Sequence, residues 1–170
     1  MNIILIGMPG CGKSCMGRAL SKKLRMRVID GDRVIEKNTG RKLQDIINED
    51  GLEAFKKIEE ENLLTINGDN IIVSTGGSAV YYEKVMNHFK SIGKIVYLYC
   101  SLPVIAERLG DFSKRGVVLK PGQTLADLYE ERCALYEKYA DITVDCSGKA
   151  YAVYQKRVIT AINYIKRHAK

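Results

Sequence analysis

The sequence has no apolar run long enough to cross a membrane and no recognisable secretion signal at its start. The longest apolar runs, residues 3–6 and 95–100, are far shorter than the roughly 20 residues that a bilayer-spanning helix needs. The chain enters the first of these runs almost at once, with no basic segment before it and no cleavage-like site after it. We therefore expect a cytoplasmic protein that has no membrane partner.

The five cysteines include no CxxC pair, and their odd number argues against a disulfide framework. Without a secretion signal, free thiols are the better interpretation. Cys100 and Cys146 end apolar runs, which predicts buried structural positions. Cys11 lies in a glycine-rich loop before a helix. Because a helix N-terminus lowers the pKa of a thiol, a redox role for Cys11 stays open beside a structural one.

The chain lacks a basic stripe, although 27 lysines and arginines against 20 acidic residues give it a net charge of +7. The basic residues are spread out and have no interleaved aromatic residues, so an anionic small molecule explains the charge better than a nucleic acid does. The sequence also lacks repeats and linkers, and no exposed apolar stripe stands out. We expect a single domain over residues 1–170 that functions as a monomer.

Short apolar runs alternate with longer stretches of helical periodicity. The apolar runs predict strands at 3–6, 28–29, 71–74, 95–100 and 142–144. The periodicity predicts helices at 13–25, 33–39, 42–66, 82–91, 103–109, 124–139 and about 149–168. The third of these helices is expected to break near 50–51. Alternation of this kind is typical of a parallel sheet covered by helices on both faces, a three-layer α/β fold. Ligands of such sheets bind at the carboxyl ends of the strands.

A phosphate-binding loop lies at residues 7–14, where GMPGCGKS fits the pattern GxxxxGK[ST]. The loop follows an apolar strand and precedes a helix, which is the context that the motif requires. Backbone N–H groups of the loop bind phosphate, Lys13 reaches the β- and γ-phosphates of a nucleoside triphosphate, and the Ser14 hydroxyl binds Mg²⁺. The predicted nucleotide-binding residues share the loop and the helix start: Gly10, Cys11, Gly12, Lys13, Ser14 and Cys15.

Two carboxylates, Asp30 and Asp32, follow the second predicted strand. Alternate residues of an extended chain point to the same side, so both side chains are expected to face the site. One carboxylate can serve the metal shell, and the other can bind or deprotonate an acceptor hydroxyl. The competing interpretation is that Asp32 caps the next helix.

A glycine turn, Thr75-Gly76-Gly77-Ser78, follows the third predicted strand. Glycines at such a place let the backbone approach a ligand closely, although an ordinary strand-to-helix turn would use them as well. Gly76 and Gly77 are therefore candidate substrate-binding residues.

Taken in order along the chain, these segments resemble the shikimate kinase family. The resemblance is carried by Gly12-Lys13-Ser14 with Gly17-Arg18-Ala19-Leu20, Ile29-Asp30-Gly31-Asp32, Thr39-Gly40-Arg41, Glu53-Ala54-Phe55-Lys56-Lys57-Ile58-Glu59, Thr75-Gly76-Gly77, Arg132-Cys133-Ala134-Leu135-Tyr136 and Tyr139-Ala140-Asp141-Ile142-Thr143-Val144-Asp145. It implies a P-loop kinase fold with five parallel strands and a mobile lid at about 110–122. It also implies a kinase of aromatic amino acid biosynthesis, which transfers the γ-phosphate of ATP to the 3-hydroxyl of shikimate.

The resemblance further implies roles for individual residues. Asp32 would bind the acceptor hydroxyl and act as base, and Asp30 would support Mg²⁺ through water beside Ser14. Gly77 would contact the substrate through its backbone, and Arg132 would bind the substrate carboxylate. Arg115, in the polar stretch 110–122, would close on the phosphates as a catalytic lid arginine. Taken singly, Arg115 would be interpreted first as a solvated loop charge and Arg132 as a helix-surface charge.

Four positions depart from the family pattern. Lys56 stands where the family has an arginine that binds the substrate carboxylate. Arginine can make two parallel hydrogen bonds to a carboxylate, whereas lysine is a point charge and cannot. Ser78 replaces the third glycine, Gly116 replaces the proline after the lid arginine, and Cys15 replaces a hydroxyl residue. Because Lys56, Ser78 and Gly116 lie on the acceptor and lid side, two alternatives stay open. They are a kinase for another small hydroxylated acid, such as a gluconate-like acceptor, and a nucleotide-binding regulator with little turnover.

Overall fold

A computed structural model of the protein describes residues 1–110, 119–120, 122–148 and 150–168. Its strands are β1 (Asn2–Ile6), β2 (Arg27–Asp30), β3 (Ile71–Ser74), β4 (Gly93–Tyr99) and β5 (Ile142–Asp145). Its α-helices are α1 (Lys13–Leu24), α2 (Gly31–Thr39), α3 (Leu43–Asp50), α4 (Leu52–Leu64), α5 (Glu83–Ile92), α6 (Leu102–Leu109), α7 (Leu125–Tyr139) and α8 (Tyr151–His168). A short 3-10 turn, Ala79–Tyr81, precedes α5.

The strands form one parallel sheet in the order β2-β3-β1-β4-β5. All five residues of the central strand β1 are buried, so both faces of the sheet are covered. β1 pairs with β3 through Leu5 and Ser74, and β3 pairs with β2 through Ser74 and Asp30. The loops that follow β1, β2 and β3 therefore meet at one edge of the sheet.

Two hydrophobic clusters stabilise the described residues. The larger one surrounds the sheet and includes the apolar faces of α1, α5 and α8. The smaller one is separate and joins α2, α3 and α4 through Ile35, Ile46 and Phe55. The helices that follow β2 along the chain thus have a small core of their own.

The five predicted strands and the parallel α/β fold are confirmed, and the strand and helix ends differ from the predicted ones by at most two residues. Gly51 separates α3 from α4, with a φ of 85°, which confirms the predicted break. Cys100 and Cys146 are buried as predicted, and burial raises their thiol pKa values to about 11 and about 12. No helix in the described ranges is long and apolar enough to span a membrane.

Candidate active site

The phosphate-binding loop joins β1 to α1 and folds over its own lysine. Gly12 has a φ of 97°, a left-handed conformation that glycine adopts without strain, and α1 begins at the next residue. The Lys13 side chain is 8% exposed, and its Nζ donates to the carbonyl oxygens of Gly7 at 2.6 Å and Met8 at 3.0 Å. These contacts hold the ammonium against the loop, and the N-terminus of α1 beside it favours a phosphate.

Cys11 lies within this loop, and Cys15 lies in the first turn of α1. The Cys11 side chain is buried, and its backbone N–H donates to the Met8 carbonyl at 3.2 Å. Cys11 does not line the cavity described below, so a contact with ATP through its side chain is not supported. Cys15 is exposed and lines that cavity.

The oxygen atoms expected to hold Mg²⁺ lie on adjacent elements. The Ser14 hydroxyl is exposed at the start of α1, 3.4 Å from the Ser74 hydroxyl. Ser74 pairs in register with Asp30 across β3 and β2. Mg²⁺ prefers oxygen ligands and is usually held by one or two protein groups together with phosphates and water, so this donor set fits the ion. Within the described ranges, no group of three acidic, histidine or cysteine side chains forms a complete metal site.

Asp32 lies in the first turn of α2 and faces the cavity. The expectation that Asp30 and Asp32 alternate along an extended chain is wrong, because the helix already begins at Gly31. Asp30 occupies the N-cap position without a side-chain cap hydrogen bond, and it does not line the cavity. The interpretation of Asp32 as the helix cap is therefore also wrong.

Asp32 is exposed to the cavity, although neighbouring protein displaces part of the water around its carboxylate. This partial burial, followed by the charge of Asp30, raises the pKa of Asp32, whereas the nearby Lys13 ammonium lowers it. A raised pKa makes the ionised carboxylate a stronger base than a free aspartate, which suits proton transfer from a hydroxyl.

The glycine turn packs tightly against the phosphate loop. A Cβ atom at Gly77 would lie 2.7 Å from Pro9 Cδ and 3.0 Å from Arg132 Nη1, distances that leave no room for a side chain. Thr75 anchors the turn, because its hydroxyl donates to the Leu5 carbonyl at 3.0 Å. The backbone of Gly77 therefore lies between the phosphate loop and Arg132.

Arg132 projects from α7 into the cavity and is only 7% exposed. Its Nε donates to the Tyr81 hydroxyl at 3.3 Å, and its guanidinium lies 5.3 Å from the centre of the Tyr81 ring. The interpretation of Arg132 as a helix-surface charge is therefore wrong.

Lys56 lies on α4 at the rim of the same cavity. Its Nζ lies 2.6 Å from Glu53 Oε1, and its side chain is 47% exposed. The side chain thus reaches the expected region but is paired with a neighbouring acid. Arg115 and Gly116, and most of the predicted lid, lie outside the described residues.

Glu59 is the main cavity residue that the sequence analysis did not single out. It is 2% exposed and receives hydrogen bonds from Ser78 and Tyr82. The signal was present in the sequence, since Glu59 interrupts the buried stripe of α4 between Phe55 and Leu63. Other lining residues that were not predicted as site residues are Arg18, Tyr81, Tyr82, Lys120 and Gln123.

These groups surround one cavity of about 830 Å³. The phosphate loop, Asp32, Glu59, the glycine turn and Arg132 all line it. The volume lies within the range of about 300–1,000 Å³ that is common for small-molecule sites. The arrangement places phosphate-binding groups and an acidic base beside a buried cation, as transfer of a phosphoryl group to an anionic hydroxy compound requires.

Known proteins with the same features are shikimate kinases. Residues 9–163 match the family described as Shikimate kinase. The shikimate kinase of Bacillus anthracis is 37% identical over 163 residues, which cover 95% of this chain and 98% of the relative.

Solved structures lead to the same family. A shikimate kinase from Acinetobacter baumannii in complex with shikimate has a TM-score of 0.84 and 28% identity, over 99% of this chain and 95% of that chain. Shikimate kinase from Aquifex aeolicus has a TM-score of 0.83 and 32% identity, over 96% of each chain. With its five-stranded parallel fold and its phosphate loop, the chain belongs to the shikimate kinase family of small-molecule kinases.

Proposed function

We propose that the cavity is the active site in which the γ-phosphate of ATP is transferred to the 3-hydroxyl of shikimate, giving shikimate 3-phosphate and ADP. The observation that carries this proposal is the shared cavity of about 830 Å³, which Lys13, Ser14, Asp32 and Arg132 all line. Membership of the family supports the choice of acceptor.

The donor half consists of the loop backbone from Gly10 to Gly12, the Lys13 ammonium and the start of α1. Lys13 would leave the Gly7 and Met8 carbonyls and contact the β- and γ-phosphates of ATP. Ser14 would bind Mg²⁺ directly, and Asp30 would do so through water. The ion supplies charge neutralisation on the phosphates when it is bound.

The acceptor half consists of Asp32, the glycine turn and Arg132. Asp32 would accept the proton of the reacting hydroxyl, while the backbone of Gly76 and Gly77 would hold the substrate close to the loop. The buried Arg132 guanidinium would bind the substrate carboxylate as a planar fork. Lys56 would add a second, weaker attraction from the rim.

Arg115 would complete the phosphate side as the lid arginine, a role that rests on the family resemblance alone. We also propose a cytoplasmic monomer without nucleic-acid or membrane partners. The even spread of its basic residues along the sequence supports this part of the proposal.

A related hydroxylated acid is the second candidate acceptor. The Lys56–Glu53 pair favours it, since the lysine that replaces the family arginine is held by an acid of its own helix. A looser grip on the carboxylate would admit acids whose carboxylate lies elsewhere.

A coupled assay of ADP release with ATP and Mg²⁺ tests the proposal. We expect release that depends on shikimate, a product phosphorylated at the 3-hydroxyl by ³¹P NMR, and little release with gluconate. Asp32→Asn should lower kcat by about 100-fold or more, the contribution of a positioned base. Asp69→Asn, an exposed loop acid, is the matched control. Absence of ADP release at millimolar shikimate would overturn the assignment, and preferential release with another hydroxy acid would favour the second candidate.

A further inference from the structure

The segment after the glycine turn, residues 78–82, carries three hydroxyl side chains that hold charged groups of the cavity. The Ser78 hydroxyl lies 2.6 Å and 2.9 Å from the two carboxylate oxygens of Glu59. The Tyr82 hydroxyl donates to Glu59 Oε2 at 2.6 Å. The Tyr81 hydroxyl accepts from Arg132 Nε at 3.3 Å.

Glu59 depends on these hydroxyls because it is a buried carboxylate. Burial raises the pKa of Glu59, whereas the hydrogen bonds from Ser78 and Tyr82 and the more distant Arg132 lower it. Among the described residues, no cation lies within ion-pair distance of Glu59. The nearby Lys56 is paired with Glu53 instead. A buried carboxylate without donors is costly, so the hydroxyls decide where this group points.

The carboxylate points toward the acceptor region. A Cβ atom built at Gly76 would lie 3.1 Å from Glu59 Oε1 and 3.2 Å from Asp32 Oδ1. The two acidic groups therefore border the same small space above the glycine turn. Oε1 accepts from Ser78 and has one lone pair left for a further donor.

Arg132 is oriented from the same segment. The Tyr81 ring lies against the guanidinium, and the Tyr81 hydroxyl accepts the hydrogen bond of Nε. In the part of the chain that the structure describes, no hydrogen bond occupies the terminal nitrogens, and Nη1 lies 3.0 Å from a Cβ atom built at Gly77. Tyr81 itself is 40% exposed, and the neighbouring Glu131 also lies within reach of its hydroxyl.

We propose that residues 78–82 form a positioning element for the acceptor, in which Ser78 and Tyr82 fix the Glu59 carboxylate and Tyr81 fixes the Arg132 guanidinium. This inference deepens the proposed function and rests on it. It gives Ser78 a role that a glycine at the same position would lack. It also makes the hydroxyls of this segment, rather than Lys56, the determinants of how tightly a polyhydroxylated acid is held.

Substitutions that remove only oxygen atoms test the element. Ser78→Ala, Tyr82→Phe, the double variant and Tyr81→Phe are compared with Tyr164→Phe, an exposed tyrosine of α8. For each protein, KM for shikimate, KM for ATP, kcat and the thermal midpoint are measured. Assays are run at least 15 °C below the lowest midpoint, roughly four to seven times the shift of about 2–4 °C that a 1 kcal/mol loss produces in a domain of this size.

We expect KM for shikimate to rise about tenfold for each hydroxyl removed, the usual effect of losing a hydrogen bond to a charged group. KM for ATP should stay within about twofold, and Ser78→Thr, which keeps the hydroxyl, should restore much of the loss. A merely structural role would lower the thermal midpoint and leave KM for shikimate unchanged.

The inference is overturned if the variants keep KM for shikimate within twofold of the wild type, or if KM for ATP rises equally. If the double variant fails to fold, Tyr81→Phe tests the inference instead. Tyr81 is exposed, so loss of its hydroxyl should not prevent folding. If the wild type turned over no shikimate, the proposed function would fail first. Calorimetric titration with shikimate would then test the positioning role without turnover. Equal affinity of the wild type and the variants for shikimate would overturn that role independently of the proposed function.

Discussion

Replacement of Lys56 with alanine separates the two cations that could hold the acceptor carboxylate. Lys56 is 47% exposed at the rim and already paired with Glu53, whereas Arg132 is 7% exposed inside the cavity. Water screens the charge of Lys56 and leaves that of Arg132 largely unscreened. The two substitutions should therefore differ strongly in their effect on shikimate binding.

The expected magnitudes follow from these environments. An exposed ion pair contributes about 0.2–1 kcal/mol, so Lys56→Ala should raise KM for shikimate less than about fivefold. Hydrogen bonds to a buried charge contribute about 1.5–3 kcal/mol. Arg132→Lys keeps the charge but removes the fork, so we expect a loss of about 10- to 150-fold in kcat/KM for shikimate.

Initial rates of ADP release over a range of shikimate concentrations give both values. Lys57→Ala is the matched control, because Lys57 is the exposed neighbour of Lys56 and does not line the cavity. The reasoning is refuted if Lys56→Ala loses as much as Arg132→Lys. Lys56 would then have to leave Glu53 and bind the substrate directly.

Three further substitutions test the fold around the site. Thr124 and Asp127 form a capping box at the start of α7. Thr124→Ala should therefore lower the free energy of unfolding, measured in urea, by about 1 kcal/mol. Thr124→Ser keeps the hydroxyl, so an equally large loss in that variant would argue against the cap. Gly77→Ala places a methyl group 2.7 Å from the proline of the phosphate loop and should reduce kcat/KM at least about tenfold, unlike Gly148→Ala, whose added atom meets open space. The raised pKa of Asp32 means that the folded state holds this proton more tightly than the unfolded state, so stability falls as the pH rises from 3.8 through the raised value. Asp32→Asn removes this loss and should raise the thermal midpoint at pH 7 while it lowers kcat; an unchanged or lower midpoint would contradict the assigned cause.

Much of the fold was predictable because its signals are local. The apolar runs of β1 and β3 and the glycine-rich loop before Lys13 each lie within a few neighbouring residues. Once the sheet is parallel, the loops after β1, β2 and β3 meet at its carboxyl edge. The phosphate-binding half of the site follows from these steps.

The acceptor half was less predictable because it depends on contacts between distant residues. Tyr81 and Arg132 are separated by 51 positions, and Glu59 and Ser78 by 19. The relation of Asp30 to Asp32 was wrong because α2 begins one residue after the strand, which replaces extended alternation with a helical turn. The exposed Lys56 pairs with Glu53 rather than with a cavity group. Ion pairs at such an exposed position differ little in energy, so sequence patterns do not predict which partner is bound.

The small cluster of Ile35, Ile46 and Phe55 has a consequence for the evolution of the family. It adds packing between α2, α3 and α4 beyond the contacts that α2 and α4 make with the core around the sheet. Substitutions on these helices can therefore alter the acceptor side while the phosphate loop, which packs in the larger core, stays intact. Gene duplicates that diverge in acceptor choice on these helices would not first need a more stable scaffold.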